Sequence, residues 1–133
     1  MKKISPYLFI YGTLMNTKAE PAASLMNGCS FFSKGKIAGK LYDLGEYPGA
    51  VLSSKGEGFY VYGDIVFMKT PDVTIGLLDD YEGFGDDQEQ PNLFVRELVD
   101  VETTNGKIGC LMYLYNLPIE GLKQIISGKY LVG

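Results

Sequence analysis

Apolar residues along this chain occur mainly in short runs that are typical of strands. The first run extends from about Pro6 to Tyr11 and stays apolar after the proline, which suits a strand buried on both faces. Residues 29–45 predict one long or broken strand, and residues 50–54 predict another. Residues 58–68 predict a further strand, in which Gly63 is a candidate bulge.

Helical patterns are fewer than strand patterns. The clearest predicted helix follows Thr70, which can act as N-cap, with Pro71 at its first position and Gly83 ending it. A short helix is predicted around Ala19 to Met26, and a second one from Ile119 to Ile126.

Two dipeptides predict turns between the strands. Asn105-Gly106 separates two strand-like runs and is the strongest short hairpin signal. In Tyr47 to Ala50, Pro48-Gly49 predicts a type II turn with a positive φ at the glycine. The order of elements predicts an α+β fold with an antiparallel-rich sheet or barrel, and 133 residues predict a single domain, 1–133.

The amino-acid composition limits the kinds of molecule that this protein is expected to bind. The net charge is −4 and the pI is about 4.8, with lysines scattered singly, which argues against nucleic acid as a ligand. The sequence contains no apolar run of the roughly 18 residues that a membrane span requires. Pro6 interrupts the lysine-led apolar start, unlike the core of a signal peptide, so we expect a cytoplasmic protein.

Metal-binding patterns are absent from the sequence. Cys29 and Cys110 form no CxxC pair, so we interpret them as buried small hydrophobic residues in a reducing compartment, with a disulfide left open. The acids at Asp86, Asp87 and Glu89 do not follow the spacing of a calcium loop. We therefore claim no metal site, and we interpret these acids as a polar flexible loop, with a mobile lid or a cation site as the alternatives.

The chain contains no histidine, so proton-transfer chemistry would need another group. On a helical wheel at about 100° per residue, Asp79 and Asp80 fall outside the apolar face, so we interpret them as solvated helix surface, whereas Glu82 falls between Leu78 and Ile75. This face is formed by Val73, Ile75, Leu77, Leu78 and Tyr81. Either Glu82 frays outward at the helix end, or it is a carboxyl at the rim of an apolar pocket. There its pKa would rise toward neutrality, as a general acid or base requires.

Three other features are candidate ligand sites, each with a structural alternative. The turn after the first strand is an ordinary turn or an anion-binding loop of successive N–H groups, formed by Tyr11, Gly12, Thr13 and Leu14. Tyr113 and Tyr115 share one face of a strand with Leu111, as core or as a pocket wall. Arg96 is either a structural ion-pair partner or a carboxylate-binding residue.

Taken in order, the segments YGTL, YPGA, LDDYEG, FVRELV and MYLYN resemble those of the γ-glutamylcyclotransferase-like (AIG2-like) family, in its small bacterial branch. The resemblance extends from about Tyr7 to Tyr130. It implies a small mixed, antiparallel-rich β-barrel flanked by short helices. Two departures stand out: Phe94 where the family often has tyrosine, and Gly128-Lys129-Tyr130 where it often has Gly-Asp-Trp.

The resemblance also implies an activity. Active members release 5-oxoproline from γ-glutamyl amines or peptides without a metal or organic cofactor. It implies that the substrate-binding loop is Tyr11 to Leu14 and that Glu82 is the catalytic general acid/base. The expected partner is a small γ-glutamyl substrate, not nucleic acid or a membrane. Two alternatives stay open: a non-catalytic module that binds a small carboxylate ligand, and an interaction protein whose acidic loop meets a basic partner.

Overall fold

A computed structural model of the chain describes residues 5–15, 20 and 22–130. The strands are β1 (Tyr7–Ile10), β2 (Cys29–Asp43), β3 (Pro48–Leu52), β4 (Tyr60–Met68), β5 (Phe94–Thr103), β6 (Gly106–Tyr115) and β7 (Lys123–Ile125). The α-helices are α1 (Ala22–Leu25) and α2 (Pro71–Glu82), and short 3-10 turns occur at Thr13–Met15 and Lys55–Glu57.

Five of these strands close into a barrel in the order β2-β4-β1-β6-β5. Closure comes from an antiparallel pairing of β5 with β2 at Lys36 and Glu102. The pair β1–β6, with Leu8 opposite Leu111, is parallel, whereas the other pairs in the ring are antiparallel. β3 and β7 both add to the far end of β2. The predicted fold class, an α+β mixed barrel rich in antiparallel pairs, is confirmed.

Alternation along the strands divides the apolar residues into two clusters. The barrel core contains Phe9 and Met112, whose side chains are buried inside the ring. The helix-side cluster contains Leu8 and Leu111 on the opposite face, packed with residues of α1 and α2. Because successive strand residues point to opposite faces, β1 and β6 each contribute to both clusters.

The helix and hairpin with the strongest local signals form as predicted. α2 begins at Pro71, and Gly83 ends it at φ 75°, a left-handed value that glycine adopts readily. Thr70 precedes the helix, although its side chain makes no capping hydrogen bond. In the hairpin, Gly106 has φ 110° and lies opposite Thr103.

The predicted type II turn at Tyr47 to Ala50 is wrong. The chain reverses earlier: Gly45 has φ 106°, and the N–H of Leu44 donates to the carbonyl of Tyr47 at 3.0 Å. Gly49 lies within β3, where an added Cβ would come within 2.9 Å of the Tyr115 Cβ. Glycine at this position therefore permits close packing, not a change of chain direction.

The predicted bulge at Gly63 is also wrong, because Gly63 pairs in register with Gly35. The irregularity lies in β2, between Phe31 and Ser33. At position 63 an added Cβ would collide with the carbonyl oxygen of Ile10. Glycine allows β1 and β4 to approach each other at this point.

The C-terminal helix predicted from Ile119 to Ile126 does not form. Lys123–Ile125 is β7 and pairs with the segment 41–43 of β2, with Leu41 opposite Ile125. Gly121 has φ 82°, which interrupts a right-handed helix. The segment instead adds to the 41–43 end of β2, a partner about 80 residues away that local sequence rules cannot take into account.

The first predicted helix ends at Leu25, one residue before its predicted end at Met26. α1 extends over Ala22–Leu25, and the predicted start at Ala19 lies outside the described residues. Across the described part of the chain, no helix combines the length and apolar character needed to cross a membrane.

Candidate active site

A cavity of about 170 Å³ opens beside the barrel where β1 ends and α2 terminates. Segments that are distant in sequence meet here: the turn after β1, the start of β3, the end of α2, and the start of β5 with the residue before it. Its lining residues are Phe9, Ile10, Tyr11, Gly12, Leu14, Tyr47, Pro48, Tyr81, Glu82, Leu93, Phe94 and Tyr113. The wall is mostly apolar and aromatic, with one carboxyl group among the lining side chains.

The turn after β1 forms one wall of this cavity. Its 3-10 geometry is closed by the N–H of Met15, which donates to the carbonyl of Gly12 at 3.0 Å. An added Cβ at Gly12 would lie 2.9 Å from the Cγ of Pro48, so glycine lets the turn pack against β3. Leu14 is buried and lines the cavity; the side chain of Thr13 is not among those described.

Tyr11 is held by two backbone contacts of its hydroxyl. The hydroxyl donates to the carbonyl of Tyr113 at 2.6 Å and accepts from the N–H of Ala50 at 3.3 Å. Burial, and then the charge of Glu82, raise the pKa of Tyr11. The hydroxyl therefore stays protonated and ties β3 and β6 together, while the residue lines the cavity.

Glu82 is the carboxyl that lines the cavity, and it is half-buried at the last position of α2. Burial raises the pKa of Glu82 from 4.5 to about 7. A carboxyl in this range is substantially populated in both protonation states near neutral pH, so it can accept and return a proton.

The buried face of α2 differs from the predicted one. It consists of Thr74, Ile75 and Leu78, whereas the predicted face included three residues that are 63%, 52% and 44% exposed: Val73, Leu77 and Tyr81. The true face is rotated by several tens of degrees around the helix axis. As a result Glu82, one turn beyond Leu78, lies nearer the centre of the buried face than the sequence pattern suggested.

The prediction that Asp79 lies among solvated surface residues is wrong, since its side chain is 23% exposed. The Tyr113 hydroxyl donates to the Asp79 Oδ1 at 2.6 Å, and the Arg96 Nε lies 3.3 Å from the same oxygen. The Arg96 guanidinium also lies over the Phe84 ring, at 5.5 Å. A helical wheel that considers only apolar residues cannot predict that Asp79 is buried, because its burial is compensated by polar partners on β5 and β6. Asp80 is exposed, as predicted.

Tyr113 and Tyr115 lie on the same face of β6 as Leu111, as predicted. Tyr113 lines the cavity. Tyr115 instead packs against the ring of Phe94 at 5.8 Å, and neither Tyr115 nor Arg96 is among the cavity-lining residues of the described part of the chain. Arg96 forms an ion pair with Asp79, which agrees with the first of its two predicted roles, that of a structural ion-pair partner.

The acidic segment after α2 is a loop that hydrogen bonds of the Asn92 side chain hold together. The Asn92 side chain accepts from the N–H of Gly85 at 3.1 Å and donates to the carbonyl of Gly85 at 3.0 Å. Asp86, Asp87 and Glu89 are exposed on this loop, as predicted. The loop delivers Leu93 to the cavity wall.

Sequence patterns did not identify several cavity residues. Tyr47 and Pro48 are predicted to form part of a turn, and Leu93 belongs to no predicted element, but all three line the cavity. The available signal in the sequence was that Tyr47 and Pro48 lie within the YPGA segment and that Leu93 directly precedes the FVRELV segment. Only the meeting of β3, β5 and α2 in space gives them this place.

Residues 5–15, 20 and 22–130 contain no cluster of side chains that could bind a metal ion. No three side chains of the metal-binding types His, Cys, Asp or Glu are grouped there.

Comparison with known proteins identifies relatives over nearly the whole chain. A family model described as "Gamma-glutamyl cyclotransferase, AIG2-like" matches residues 8–132. The "Gamma-glutamylcyclotransferase family protein YtfP" of Escherichia coli strain K12 is 30% identical over 125 residues, which cover 93% of this chain and 95% of the relative.

Solved structures agree in fold. The solution structure of protein ytfP from Escherichia coli has a TM-score of 0.65 at 27% identity, covering 92% of this chain and 94% of that one. The crystal structure of YkqA from Bacillus subtilis has a TM-score of 0.68 at 27% identity, covering 94% of this chain but 39% of that longer one. With its barrel, its cavity and a family match over residues 8–132, this chain belongs to the γ-glutamyl cyclotransferase, AIG2-like family.

Proposed function

We propose that this protein releases 5-oxoproline from a γ-glutamyl amine or peptide, with Glu82 as the general acid/base. The observation that carries the proposal is that Glu82, with its pKa raised to about 7, faces the same cavity as the Gly12 turn. Membership of the family supports the reaction class.

Size and polarity of the cavity agree with this substrate. A volume of about 170 Å³ accommodates a unit of roughly glutamyl size, with the rest of the substrate outside. The apolar wall favours the methylene groups of a glutamyl chain and keeps water away from the reacting atoms.

In the first step, the Glu82 carboxylate accepts a proton from the substrate's α-ammonium group. The freed amine attacks the γ-carbonyl carbon, forming the ring C–N bond. Holding the amine and the carbonyl at near-attack distance favours ring closure, because the reaction is intramolecular.

In the second step, the bond between the γ-carbon and the leaving nitrogen breaks. Protonated Glu82 gives its proton to this nitrogen. The regenerated Glu82 carboxylate then accepts the second proton of the ring nitrogen as the lactam forms and passes it to the released amine, which departs as an ammonium ion. The substrate's α-carboxylate or its γ-carbonyl oxygen would lie against backbone N–H groups of Gly12, Thr13 and Leu14, and donors aimed at the developing oxyanion would lower the barrier.

The experiment is incubation with a panel of γ-glutamyl amines and dipeptides, with chromatographic detection of 5-oxoproline. Glu82→Gln keeps the size of the side chain but replaces the titratable carboxyl with an amide that cannot act as acid or base near neutral pH. We expect this variant to fold normally and to lose about 10²–10⁴-fold in turnover, the usual contribution of general acid–base catalysis.

Asp80→Asn is the matched control, since it neutralises an exposed carboxylate two residues away on the same helix. It should retain turnover. Product formation by Glu82→Gln at the rate of the unaltered protein would sink the assignment. Saturable binding of a γ-glutamyl ligand without any product would favour the non-catalytic binding module instead.

A further inference from the structure

Asp79 joins the end of α2 to two strands of the barrel. Its Oδ1 accepts from the Tyr113 hydroxyl on β6 at 2.6 Å and lies 3.3 Å from the Arg96 Nε on β5. Its backbone carbonyl accepts from the N–H of Phe84 at 2.9 Å, just beyond Glu82. Asp79 thus fixes the last helical turn, which carries Glu82, at both its side chain and its main chain.

Tyr113 is in turn held at both ends. Its carbonyl accepts from the Tyr11 hydroxyl at 2.6 Å, and its own hydroxyl donates to Asp79. A Phe residue would fill the same apolar space, so the packing alone does not require the hydroxyl. The residue is buried, lines the cavity and belongs to the helix-side cluster.

The direction of the Tyr113 hydrogen bond determines what its oxygen can offer a ligand. A phenol has one proton, and here the Asp79 carboxylate takes it. The oxygen therefore has only lone pairs left, so it can accept a hydrogen bond but not donate one. Burial, followed by the bond to Asp79, raises the pKa of Tyr113, and the charge of Glu82 raises it further, so the proton stays on the phenol.

The ion pair keeps Asp79 suited to this task. The Arg96 guanidinium, placed over the Phe84 ring, compensates the carboxylate charge where the side chain is largely removed from water. An ionised carboxylate accepts hydrogen bonds and has none to donate. The Tyr113 proton is therefore directed toward Asp79 and away from the cavity.

We propose that Asp79 is a positioning residue which orients the Tyr113 hydroxyl so that its oxygen accepts a hydrogen bond from the substrate's α-ammonium group. This assignment rests on the proposed function. Tyr113 and Glu82 then hold the ammonium together: Glu82 takes one of its protons and Tyr113 fixes the nitrogen by another. The site selects a ligand that carries an α-amino group.

Two ligands that differ only at this group test the assignment: γ-glutamyl-n-butylamide and its desamino counterpart, N-butylglutaramic acid. Calorimetric titrations use Glu82→Gln protein, which is expected to turn the amide over at least about 100-fold more slowly under the proposed mechanism. A hydrogen bond to a charged group corresponds to roughly 10–100-fold in affinity. Adding Tyr113→Phe should therefore weaken the amino ligand about tenfold or more and leave the desamino ligand unchanged.

Two further variants separate positioning from general damage. Tyr62→Phe removes a hydroxyl from an exposed residue on β4 and should change neither affinity. Asp79→Ala should reduce the preference for the amino ligand as Tyr113→Phe does, and the two substitutions together should reduce it no further. A merely structural role would instead weaken both ligands equally, with losses that add.

The outcomes distinguish this assignment from the proposed function. If both ligands bind and Tyr113→Phe weakens them equally or not at all, the role of Tyr113 is overturned while the reaction stands. If neither ligand binds and the unaltered protein forms no 5-oxoproline from the amino ligand, both the reaction and the role of Tyr113 are overturned.

Discussion

Burial acts on two acids of this protein in the same direction, with opposite consequences. In the barrel core, burial and then the charge of Asp100 raise the pKa of the Cys110 thiol from 9.0 to about 12. At the cavity, burial raises the pKa of Glu82 from 4.5 to about 7. One shift moves a group further from the physiological range and makes it inert, whereas the other moves a group into that range.

The two regions occupy opposite faces of the same strands. The barrel core is enclosed by a ring of five strands and contains side chains with almost no exposure, such as Val61, Ile65 and Met112. Two of its other members, Phe9 and Tyr11, also reach the cavity wall. The helix-side cluster is covered by α1, α2 and loops, which leave a cavity. Substitutions in the first region should therefore act on stability, and substitutions in the second should act on chemistry.

Met112→Ala should have the largest effect on folding. Met112 is fully buried in the barrel core, and truncation leaves a cavity that the closed ring cannot collapse. We expect the free energy of unfolding to fall by about 2–5 kcal/mol, measured by urea denaturation. Met112→Leu, which nearly conserves volume, should cost less than about 1.5 kcal/mol.

Turnover per folded molecule should be unchanged in Met112→Ala at temperatures where the protein stays folded. A selective loss of turnover without loss of stability would break the comparison, because it would show that the barrel core takes part in the chemistry.

The pH dependence of activity should come next in size. If Glu82 must be ionised to accept the ammonium proton, kcat/KM should rise roughly 50-fold between pH 5 and pH 7, following a pKa of about 7. Glu97→Gln, at an exposed position of β5, should keep the same profile. A kcat/KM that is flat over this interval would remove Glu82 from the role of base.

An effect of comparable size is expected on the stability of Glu82→Gln. The folded-state pKa of Glu82 is raised, so the folded protein holds a proton that the unfolded chain releases. This contribution is fully present below pH 4.5 and is lost as the pH rises to about 7. Glutamine does not titrate, so the variant should gain stability relative to the unaltered protein over that interval, by about 2–3 kcal/mol.

Urea denaturation at pH 4.5 and pH 8 measures this gain as a difference of differences. Glu97→Gln again supplies the control and should show no such gain. An equal difference between Glu82→Gln and the unaltered protein at both pH values would mean that Glu82 is not desolvated. The predicted result, a more stable but inactive protein, would show that the cavity carboxyl opposes stability in favour of chemistry.

Features governed by local rules could be predicted from the sequence. The ends of α2 follow from Pro71 and Gly83, and the hairpin follows from Asn105-Gly106, because the residues that make these turns are adjacent in the chain. The family resemblance supplied Glu82, and the helical wheel separated it from its acidic neighbours.

Features that depend on contacts between residues distant in sequence could not be predicted. Residues Ile119 to Ile126 were predicted to form a helix, but Lys123–Ile125 within them pairs with β2 as a strand. Gly49 looked like a turn residue but makes room for Tyr115. Asp79 was predicted to be solvated, but it is paired with Tyr113 and Arg96, which lie on strands distant in sequence.

The sequence by itself determined the strand-rich order of elements, the ends of α2, the hairpin and an acid at position 82 in phase with the apolar face of its helix. Only the tertiary structure decided that the ring closes through Lys36 and Glu102, and that Gly12 and Glu82 share a cavity. It also decided which carboxylate of α2 is paired and which is desolvated. The reason is physical: turns and caps depend on neighbours in the chain, whereas burial and ion pairing depend on neighbours in space.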